Sequence, residues 1–331
     1  MRCCYTALRY KHKVKKNFMK KKLMLLSLLF VLVASNLLAQ QDKLITHFIY
    51  DKMSINPGET GLDKGICATT IYRNQWDKVN GAPNSAILNI EANLKPYFKA
   101  GGIGISFFHD AIGFSRQNNV LLNYSYPLQI GNAGTLGIGV GVGIVNFGMS
   151  PVWVPPTTAI DPTLPVGFSA TNLDMNFGLY WKGNQDYYVG LSSTHLNESL
   201  LKQTVGVVSQ TYQTSRHYYI MGGKKFNNIG TDGAIDAQVL MRTDMVKFSS
   251  DINVRYLWRN IAYGGLTYRT VDAIGIMLGW MPINGMTVGY SYDITTNKLA
   301  SVSRGSHEIL FKYCMYLPPI PVTKSNHPRW L

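Results

Sequence analysis

Long hydrophobic runs are missing from most of this chain. Beyond residue 40 no apolar stretch approaches the ~20 residues that a membrane-spanning helix needs, which argues against a helical membrane protein. Cysteine is equally scarce, because Cys3 and Cys4 lie in the N-terminal segment and only Cys67 and Cys314 follow it. Two isolated thiols give neither a disulfide framework nor a metal-ligand spacing. We expect both to be small packing residues, with a disulfide between them as the open alternative.

Spacings typical of catalysis and metal binding are also missing. None of the histidines beyond the N-terminal segment lies in a pattern such as H-E-x-x-H. The adjacent pairs His109-Asp110 and His307-Glu308 would point to opposite faces of a strand, so neither forms a dyad by itself. We therefore expect no enzyme, no metal and no cofactor. A nucleophile, base and acid assembled from distant strands is the enzymatic alternative.

Acidic residues are absent from the first 22 positions, which hold nine of the 32 Lys and Arg residues. The rest of the chain has 23 basic against 18 acidic residues, so its net charge is only +5. That mild excess does not support a nucleic-acid-binding protein. The basic segment, the apolar run from Leu23 to Leu38 and Ala39 predict an export signal over residues 1–39. Initiation at Met19 would give a compact signal, and an uncleaved membrane anchor is the alternative.

Apolar and polar residues alternate along most of the remaining chain. In NLDMNFGLYW, Leu173, Met175 and Phe177 would face one way while Asp174 and Asn176 face the other. About fourteen such segments start near residues 65, 84, 101, 118, 134, 171, 186, 214, 233, 248, 261, 273, 284 and 305. An even number of strands after an export signal predicts an all-β fold, a transmembrane antiparallel outer-membrane β-barrel of about 14 strands over residues 65–316. A soluble β-sandwich is the alternative.

The lengths of the connections predict an orientation. Long connections, about 148–170, 196–213 and 294–304, follow odd-numbered segments, whereas those after even-numbered segments are mostly short. Bacterial barrels have short periplasmic turns and longer outer loops. The pattern therefore predicts that the barrel begins in the periplasm and that the connections after odd-numbered strands lie outside the cell.

A glycine-rich segment, residues 134–148, has glycine at every second position from Gly137 to Gly143. The dinucleotide-binding pattern G-x-G-x-x-G does not occur there. On a strand the four glycines share one face, and glycine in a strand indicates close approach by other atoms. We expect this face to let residues 40–64 pack inside the barrel as a periplasmic, plug-like segment. Residues 317–331 are expected to form a tail, because Pro318, Pro319 and Pro321 disfavour a further strand.

Several motifs, in order along the chain, resemble one family. They are INPGETG (55–61), YRNQW (72–76) followed by GAP (81–83), GGIGISFFHDAIG (101–113) and GSHEILFKY (305–313). Together they are similar to the PorP/SprF family, outer-membrane proteins of the Bacteroidota associated with type IX secretion and gliding motility. The resemblance spans nearly the whole chain after the export signal. Glu59, where a small residue is commoner, and the tail depart from the family pattern.

The resemblance implies a non-enzymatic outer-membrane component that helps export or anchor a surface protein such as an adhesin. Its partners would be outer-membrane lipid, other type IX secretion components and the secreted protein, with no nucleic acid. A channel or transporter for small solutes is the alternative function.

From the predicted orientation, we expect one rim of the barrel to act as a recognition element. Trp76 would be an anchor, Arg73 and Asp77 would offer charge-assisted bonds, and Gly81-Ala82-Pro83 would fix the turn. As the alternative, Arg73 and Trp76 only lock the hairpin to its neighbours. The predicted rim residues are Arg73, Asn74, Gln75, Trp76, Asp77, Gly81, Ala82, Pro83, Asp110, Gly113, Gly305, His307 and Glu308.

Overall fold

The computed structural model describes residues 43–63, 65–94, 101–152, 167–205, 208–230 and 232–316. The predicted export signal and C-terminal tail lie outside these residues. Strands make up most of the described chain: β1 Ile66–Asn74, β2 Asn84–Asn93, β3 Gly102–Ile112, β4 Ser115–Ile130, β5 Gly134–Met149, β6 Phe168–Gly183, β7 Tyr187–Thr194, β8 Leu200–Val205, β9 Val208–Gln213, β10 His217–Ile229, β11 Gly233–Thr243, β12 Phe248–Trp258, β13 Ala262–Arg269, β14 Ala273–Trp280, β15 Met286–Thr295 and β16 Ser306–Met315. The helical elements are the short helix α1, Lys52–Ile55, and 3₁₀ turns at Phe48–Tyr50, Pro57–Glu59 and Lys298–Ser301.

Fourteen of these strands form one closed antiparallel barrel. Each strand pairs with its neighbours in the chain, except that β7 pairs with β10, and β1 pairs with β16 to close the sheet. The predicted 14-stranded barrel is confirmed, and every predicted start falls within three residues of an observed one. Strands β8 and β9 form a separate two-stranded sheet inside the predicted loop 196–213. Their shortness explains why alternation did not reveal them.

Side-chain burial follows the alternation of the strands. In β6, Leu173 is 51% exposed on the outer face, whereas Asp174 and Asn176 are buried in the lumen. Apolar residues therefore face outward and polar residues inward, which is the reverse of a soluble sandwich and the pattern of a barrel in lipid. Among the described helices, none has the length and apolar character required to cross a membrane.

The two ends of the barrel differ. One end carries residues 75–83, 113–114, 195–216 and 296–305 and is here called the long-loop end. The opposite, short-turn end carries residues 131–133, 184–186, 259–261 and 281–285. Which end faces the outside of the cell stays a prediction.

Residues 43–63 pack against the inward faces of the strands. Phe48, Ile49 and Ile55 lie in one apolar cluster with wall residues such as Tyr180 and Leu240. Ile45 joins a second cluster formed with β1, β2, β3 and β16. The lumen is therefore filled by the chain's own N-terminal segment, here called the lumen segment.

Two of the four glycines that were predicted to share one face of a strand lie against the lumen segment. A Cβ added to Gly137 would lie 1.9 Å from the carbonyl oxygen of Gly58, and one added to Gly139 would lie 2.2 Å from the carbonyl carbon of Pro57. Gly141 and Gly143 instead lie against Asn123 and the backbone of Val120 on the neighbouring strand. The absence of side chains on this face thus lets the lumen segment pack closely against β5 and lets β5 pack closely against β4.

The two cysteines are joined. Cys67 and Cys314 are opposite each other in the β1–β16 register and form a disulfide. The expectation of unpaired packing residues is therefore wrong. Barrel closure brings together two positions 247 residues apart in the sequence.

Candidate functional site: the long-loop rim and the filled lumen

The β1–β2 connection is a compact turn with its own hydrogen bonds. The backbone N–H of Gln75 donates to Pro83 O at 2.9 Å, and that of Ala82 donates to Val79 O at 3.1 Å. Trp76 and Lys78 adopt positive φ angles of 52° and 71°, a left-handed conformation that is uncommon for residues other than glycine. The turn is therefore held in one specific shape.

Backbone hydrogen bonds attach this turn to its neighbours on both sides. The Asp77 N–H donates to Gly305 O at 2.8 Å, and the Gly113 N–H donates to Gly81 O at 2.9 Å. The Trp76 N–H also donates to Ser306 Oγ at 3.1 Å. Of the predicted rim residues, the structure thus brings together Trp76, Asp77, Gly81, Gly113 and Gly305. Ala82 and Pro83 lie in the same turn, and Asn74 is the last residue of β1.

Four other predicted rim residues have side chains that point into the barrel instead of lining the rim. Gln75 is buried, and Asp110 accepts a hydrogen bond at 2.6 Å from the hydroxyl of buried Ser85. Arg73 and Glu308 are 1% and 0% exposed and face the lumen. Arg73 Nη1 lies 3.0 Å from Glu308 Oε2, so the expectation that Arg73 offers its charge to a partner is not supported.

His307 lies on the outer face, next to inward-facing Glu308. Its Nδ1 is 2.7 Å from the hydroxyl of Tyr290, and its ring also packs near that of Tyr292. The predicted opposite orientation of the His307-Glu308 pair is confirmed, and the two residues do not act together as a dyad.

Glu308 is the main anchor of the lumen segment. Its carboxylate accepts hydrogen bonds from the backbone N–H of Thr46 at 2.9 Å and of His47 at 2.6 Å, and it contacts His47 Nδ1 at 2.7 Å. Arg73 Nη2 pairs with Asp293 at 2.7 Å, and Asp293 accepts from Thr46 Oγ1 at 2.6 Å. Buried charges on β1, β15 and β16 therefore hold the lumen segment directly.

The ion pairs continue across β11, β12 and β13. Arg269 contacts Asp251 at 2.9 Å, and Asp251 also pairs with Arg242. Arg242 donates to the carbonyl of Lys43, whose ammonium pairs with Asp51 at 3.0 Å. Sequence analysis missed this network. The available signal was the charged residues at inward positions of alternating strands, which a barrel buries in its lumen.

Backbone groups hold the lumen segment on the opposite wall. Asn56 Nδ2 donates to the carbonyls of Leu179 at 3.0 Å and Leu191 at 3.3 Å, while its Oδ1 accepts from the Gly58 N–H. Ser125 Oγ donates to Gly58 O at 2.9 Å. The Asn-Pro-Gly of the INPGETG motif therefore forms the contact with the glycine face of the barrel.

Ionisable groups of the lumen segment also lie toward the short-turn end. Burial, reinforced by Glu91 and Asp63, raises the pKa of Glu59 well above its usual range. Burial lowers the pKa of Lys52, whose ammonium lies 4.0 Å from the ring centroid of Tyr188. Burial would raise the pKa of Asp63, but Lys182, at 2.6 Å, and Lys312 outweigh it and bring the value to about 2.

The β8–β9 hairpin lies at the mouth of the long-loop end. The ring of Tyr212 stacks on Phe147 at 3.8 Å between centroids, and its hydroxyl lies 3.4 Å from Gln117 Oε1. Phe147 and Gln117 occupy inward positions of β5 and β4. Asn172 Nδ2 donates to Leu200 O at 2.9 Å, which ties the hairpin to β6. The hairpin therefore packs on the inner side of the β4–β6 wall.

The described part of the chain contains no group of three or more His, Cys, Asp or Glu side chains that could hold a metal ion.

Known structures share the barrel architecture. The Ralstonia pickettii toluene transporter TbuX is 10% identical, has a TM-score of 0.50, and covers 81% of this chain and 94% of its own. The CymD monoaromatic hydrocarbon channel is also 10% identical, with a TM-score of 0.48 and coverage of 81% and 93%. The Acinetobacter baumannii outer membrane protein Omp33 has 10% identity, a TM-score of 0.41 and coverage of 77% and 100%. At 10% identity the likeness to TbuX supports the fold alone.

Comparison with curated proteins gives no match. The model of one family, described as type IX secretion system membrane protein PorP/SprF, matches residues 37–313. That range includes the lumen segment, the rim and all but the end of the last barrel strand. This chain therefore belongs to the PorP/SprF family of type IX secretion system membrane proteins and is a β-barrel of the outer membrane.

Proposed function

We propose that this barrel serves type IX secretion and gliding as a non-enzymatic component that helps export or anchor a surface protein such as an adhesin. The observation that carries the proposal is the filled lumen. Residues 43–63 are held by Glu308 and Asp293 on one wall and contact the glycine face of β5 on the other. A barrel filled in this way is suited to present surfaces to partners rather than to conduct a polypeptide.

The long-loop rim is the surface that we assign to the secreted partner. Its β1–β2 turn is fixed on both sides by hydrogen bonds to Gly305 and Gly113, so it is already ordered before a partner binds. A pre-ordered surface loses less conformational entropy on binding than a mobile loop does. Trp76, part-exposed in this turn, supplies the large aromatic side chain that dominates many interfaces.

Deletion of the gene, followed by quantitative surface proteomics of living cells, tests the role. Loss of one large surface protein, with other exported proteins retained, supports a dedicated partner barrel. Loss of all type IX cargo indicates a part in the core machine. An unchanged surface proteome contradicts both roles.

Complementation with Trp76→Ala then tests the rim. We expect the barrel to assemble and the partner to be lost from the surface. Trp280→Ala, which removes an outward tryptophan of β14 near the short-turn end, is the matched control. Full retention of the partner by Trp76→Ala would remove the rim from the proposal.

A channel for small solutes is the second candidate. It is favoured by the likeness in fold to the toluene transporter TbuX. Conductance across planar bilayers separates the two functions. The filled lumen leads us to expect no steady large conductance, whereas a stable open pore would favour the channel.

A further inference from the structure

The outer face of β1–β4 is polar next to the long-loop rim. Asn74 pairs with Asn84, Asn84 with Ala111, and Ala111 with Arg116 across the four strands. The adjacent residues Arg73, Ser85 and Asp110 are directed inward, so alternation places Asn74, Asn84 and Arg116 on the outer face. Three of the four members of this register row are thus hydrogen-bonding or charged.

Four residues further along the strands, three of the four residues on the same face are apolar. The register row there consists of Thr70, Leu88, Phe107 and Val120. At ~3.3 Å per residue, the face changes from polar to apolar within about 13 Å. Tyr72 lies between the two rows and is 53% exposed, in the position where barrels place the aromatic residues of the membrane interface. We place the boundary between lipid tails and headgroups at the row of Tyr72, which also holds Ala86, His109 and Asn118.

A pocket of about 400 Å³ opens on the rim side of this boundary, and all four residues of the polar row line it. Its walls are the β1–β2 turn and the turn between β3 and β4, which are joined by the Gly113 N–H to Gly81 O bond. The polar side chains that line it are Asn74, Asp77, Lys78, Asn80, Asn84 and Arg116, and Trp76 lines it as well.

Two features of the pocket favour a bound anion. Arg116 Nη1 donates to the carbonyls of Gly113 and Ser115, both at 2.8 Å, which fixes the guanidinium beside the pocket. Lys78 supplies a second, exposed cation from a left-handed backbone conformation. Such backbone conformations persist where the surrounding structure enforces them, and they concentrate at ligand sites.

We propose that this pocket binds the phosphate of a membrane lipid. Lys78 and Arg116 pair with the phosphate, and the amides of Asn74 and Asn84 donate hydrogen bonds to its oxygens. The acyl chains run along the apolar face formed by Leu88 and Phe107. Asp77, the one carboxylate of the pocket, lies where it meets an amine carried by the same headgroup. The site shares the β1–β2 turn with the rim assigned to the secreted partner, but the lipid proposal does not depend on that role.

Phosphate is common to phospholipids and lipid A, and the test separates these sources. The purified full chain in detergent is incubated with phosphatidylethanolamine, phosphatidylglycerol, lipid A or inorganic phosphate, and bound lipid is measured by native mass spectrometry. We expect retention of at least one phosphate-bearing lipid. Preference for lipid A identifies the outer leaflet as the source, and preference for phosphatidylethanolamine supports the role of Asp77.

The double variant Lys78→Ala/Arg116→Gln should bind the retained lipid at least about tenfold more weakly, because it loses charge-assisted hydrogen bonds. Asn84→Asp, which changes little in shape but adds a negative charge, should weaken binding in the same direction. Arg259→Gln, at an exposed arginine in a short turn of the opposite end, is the control. Folding of each variant is checked by heat-dependent mobility on gels.

Equal lipid binding by folded wild type, Lys78→Ala/Arg116→Gln and Asn84→Asp would overturn the proposal. Retention of no lipid by the wild type, or binding of inorganic phosphate with no preference for a lipid, would overturn it as well.

Discussion

Cys67 of β1 is disulfide-bonded to Cys314 of β16, and the two residues are direct partners in the register of the seam that closes the barrel. Every other pairing within the barrel joins strands that follow one another in the chain, apart from the interruption by β8 and β9. Only the pairing of β1 with β16 joins the first strand of the barrel to the last. A covalent bond there therefore stabilises the barrel's longest-range contact.

Removal of the disulfide should lower stability. In the chain-entropy account, a bond that closes a long loop restricts the unfolded state most, and typical native disulfides contribute about 2–5 kcal/mol. Cys67→Ala/Cys314→Ala should therefore unfold at a lower temperature or denaturant concentration than the oxidised wild type. Reduced wild-type protein should behave like the double variant, and reductant should not affect the variant. Equal stability of oxidised and reduced wild type would contradict the prediction.

The alternation of apolar and polar side chains predicted most of the fold. It located all fourteen barrel strands because a membrane barrel exposes its apolar residues and buries its polar ones along every strand. The disulfide was not predicted, because Cys67 and Cys314 become neighbours only once the first and last strands are paired. The β8–β9 hairpin was not predicted, because its strands of six residues are too short to show a clear alternation of apolar and polar residues.

The site was predicted less completely. The motif that contains Trp76, Asp77 and Gly81 does form one rim, since the order of hairpins fixes which turns are adjacent. Arg73 belongs to the same motif, but its side chain faces the lumen, where it pairs with Glu308. Its partner could not be predicted without the register between β1 and β16. To predict that Glu308 binds Thr46 and His47, the path of the lumen segment through the barrel would also have to be known.

Glu308→Gln should loosen the lumen segment. The substitution keeps the shape but removes the charge that Arg73 and the N–H groups of Thr46 and His47 share. Breaking one side of a buried ion pair costs about 3–5 kcal/mol. We expect faster amide hydrogen exchange at Thr46 and His47, with the barrel strands still protected.

Glu198→Gln is the control for that experiment. Glu198 forms an exposed ion pair with Arg216 at 3.7 Å, and such pairs contribute about 0–1 kcal/mol. Exchange at Thr46 and His47 should therefore stay as in the wild type. If Glu308→Gln and Glu198→Gln behave alike, Glu308 does not anchor the lumen segment.

Gly139→Ala should displace the lumen segment from the opposite wall. The new methyl group would lie 2.2 Å from the carbonyl carbon of Pro57, and overpacking of this kind costs about 1–3 kcal/mol. Protease digestion should then cut within residues 43–63 more rapidly. Gly264→Ala is the matched control, because its added Cβ has no neighbour closer than 3.8 Å. Equal digestion of both variants would show that the glycine face does not hold the segment.

Glu59 should make the stability of the lumen segment's packing depend on pH. Burial raises the pKa of Glu59 in the folded protein, with Glu91 and Asp63 adding to the shift and Lys52 and Lys312 opposing it. The folded state therefore binds the proton more tightly than the unfolded state, whose carboxyl has a pKa near 4.5. Its contribution to stability is present below that value and is lost as the pH rises toward the folded pKa.

Glu59→Gln should consequently be more stable than the wild type at neutral pH, and the difference should shrink as the pH falls toward 4. The measurement is denaturant unfolding in detergent at a series of pH values. Asp63→Asn is a control of opposite sign, because the pKa of Asp63 is lowered to about 2. That variant should be less stable at neutral pH and should approach the wild type only as the pH falls below about 4. A pH-independent difference for Glu59→Gln would mean that the pKa of Glu59 is the same in the folded and the unfolded protein, which contradicts the raised pKa.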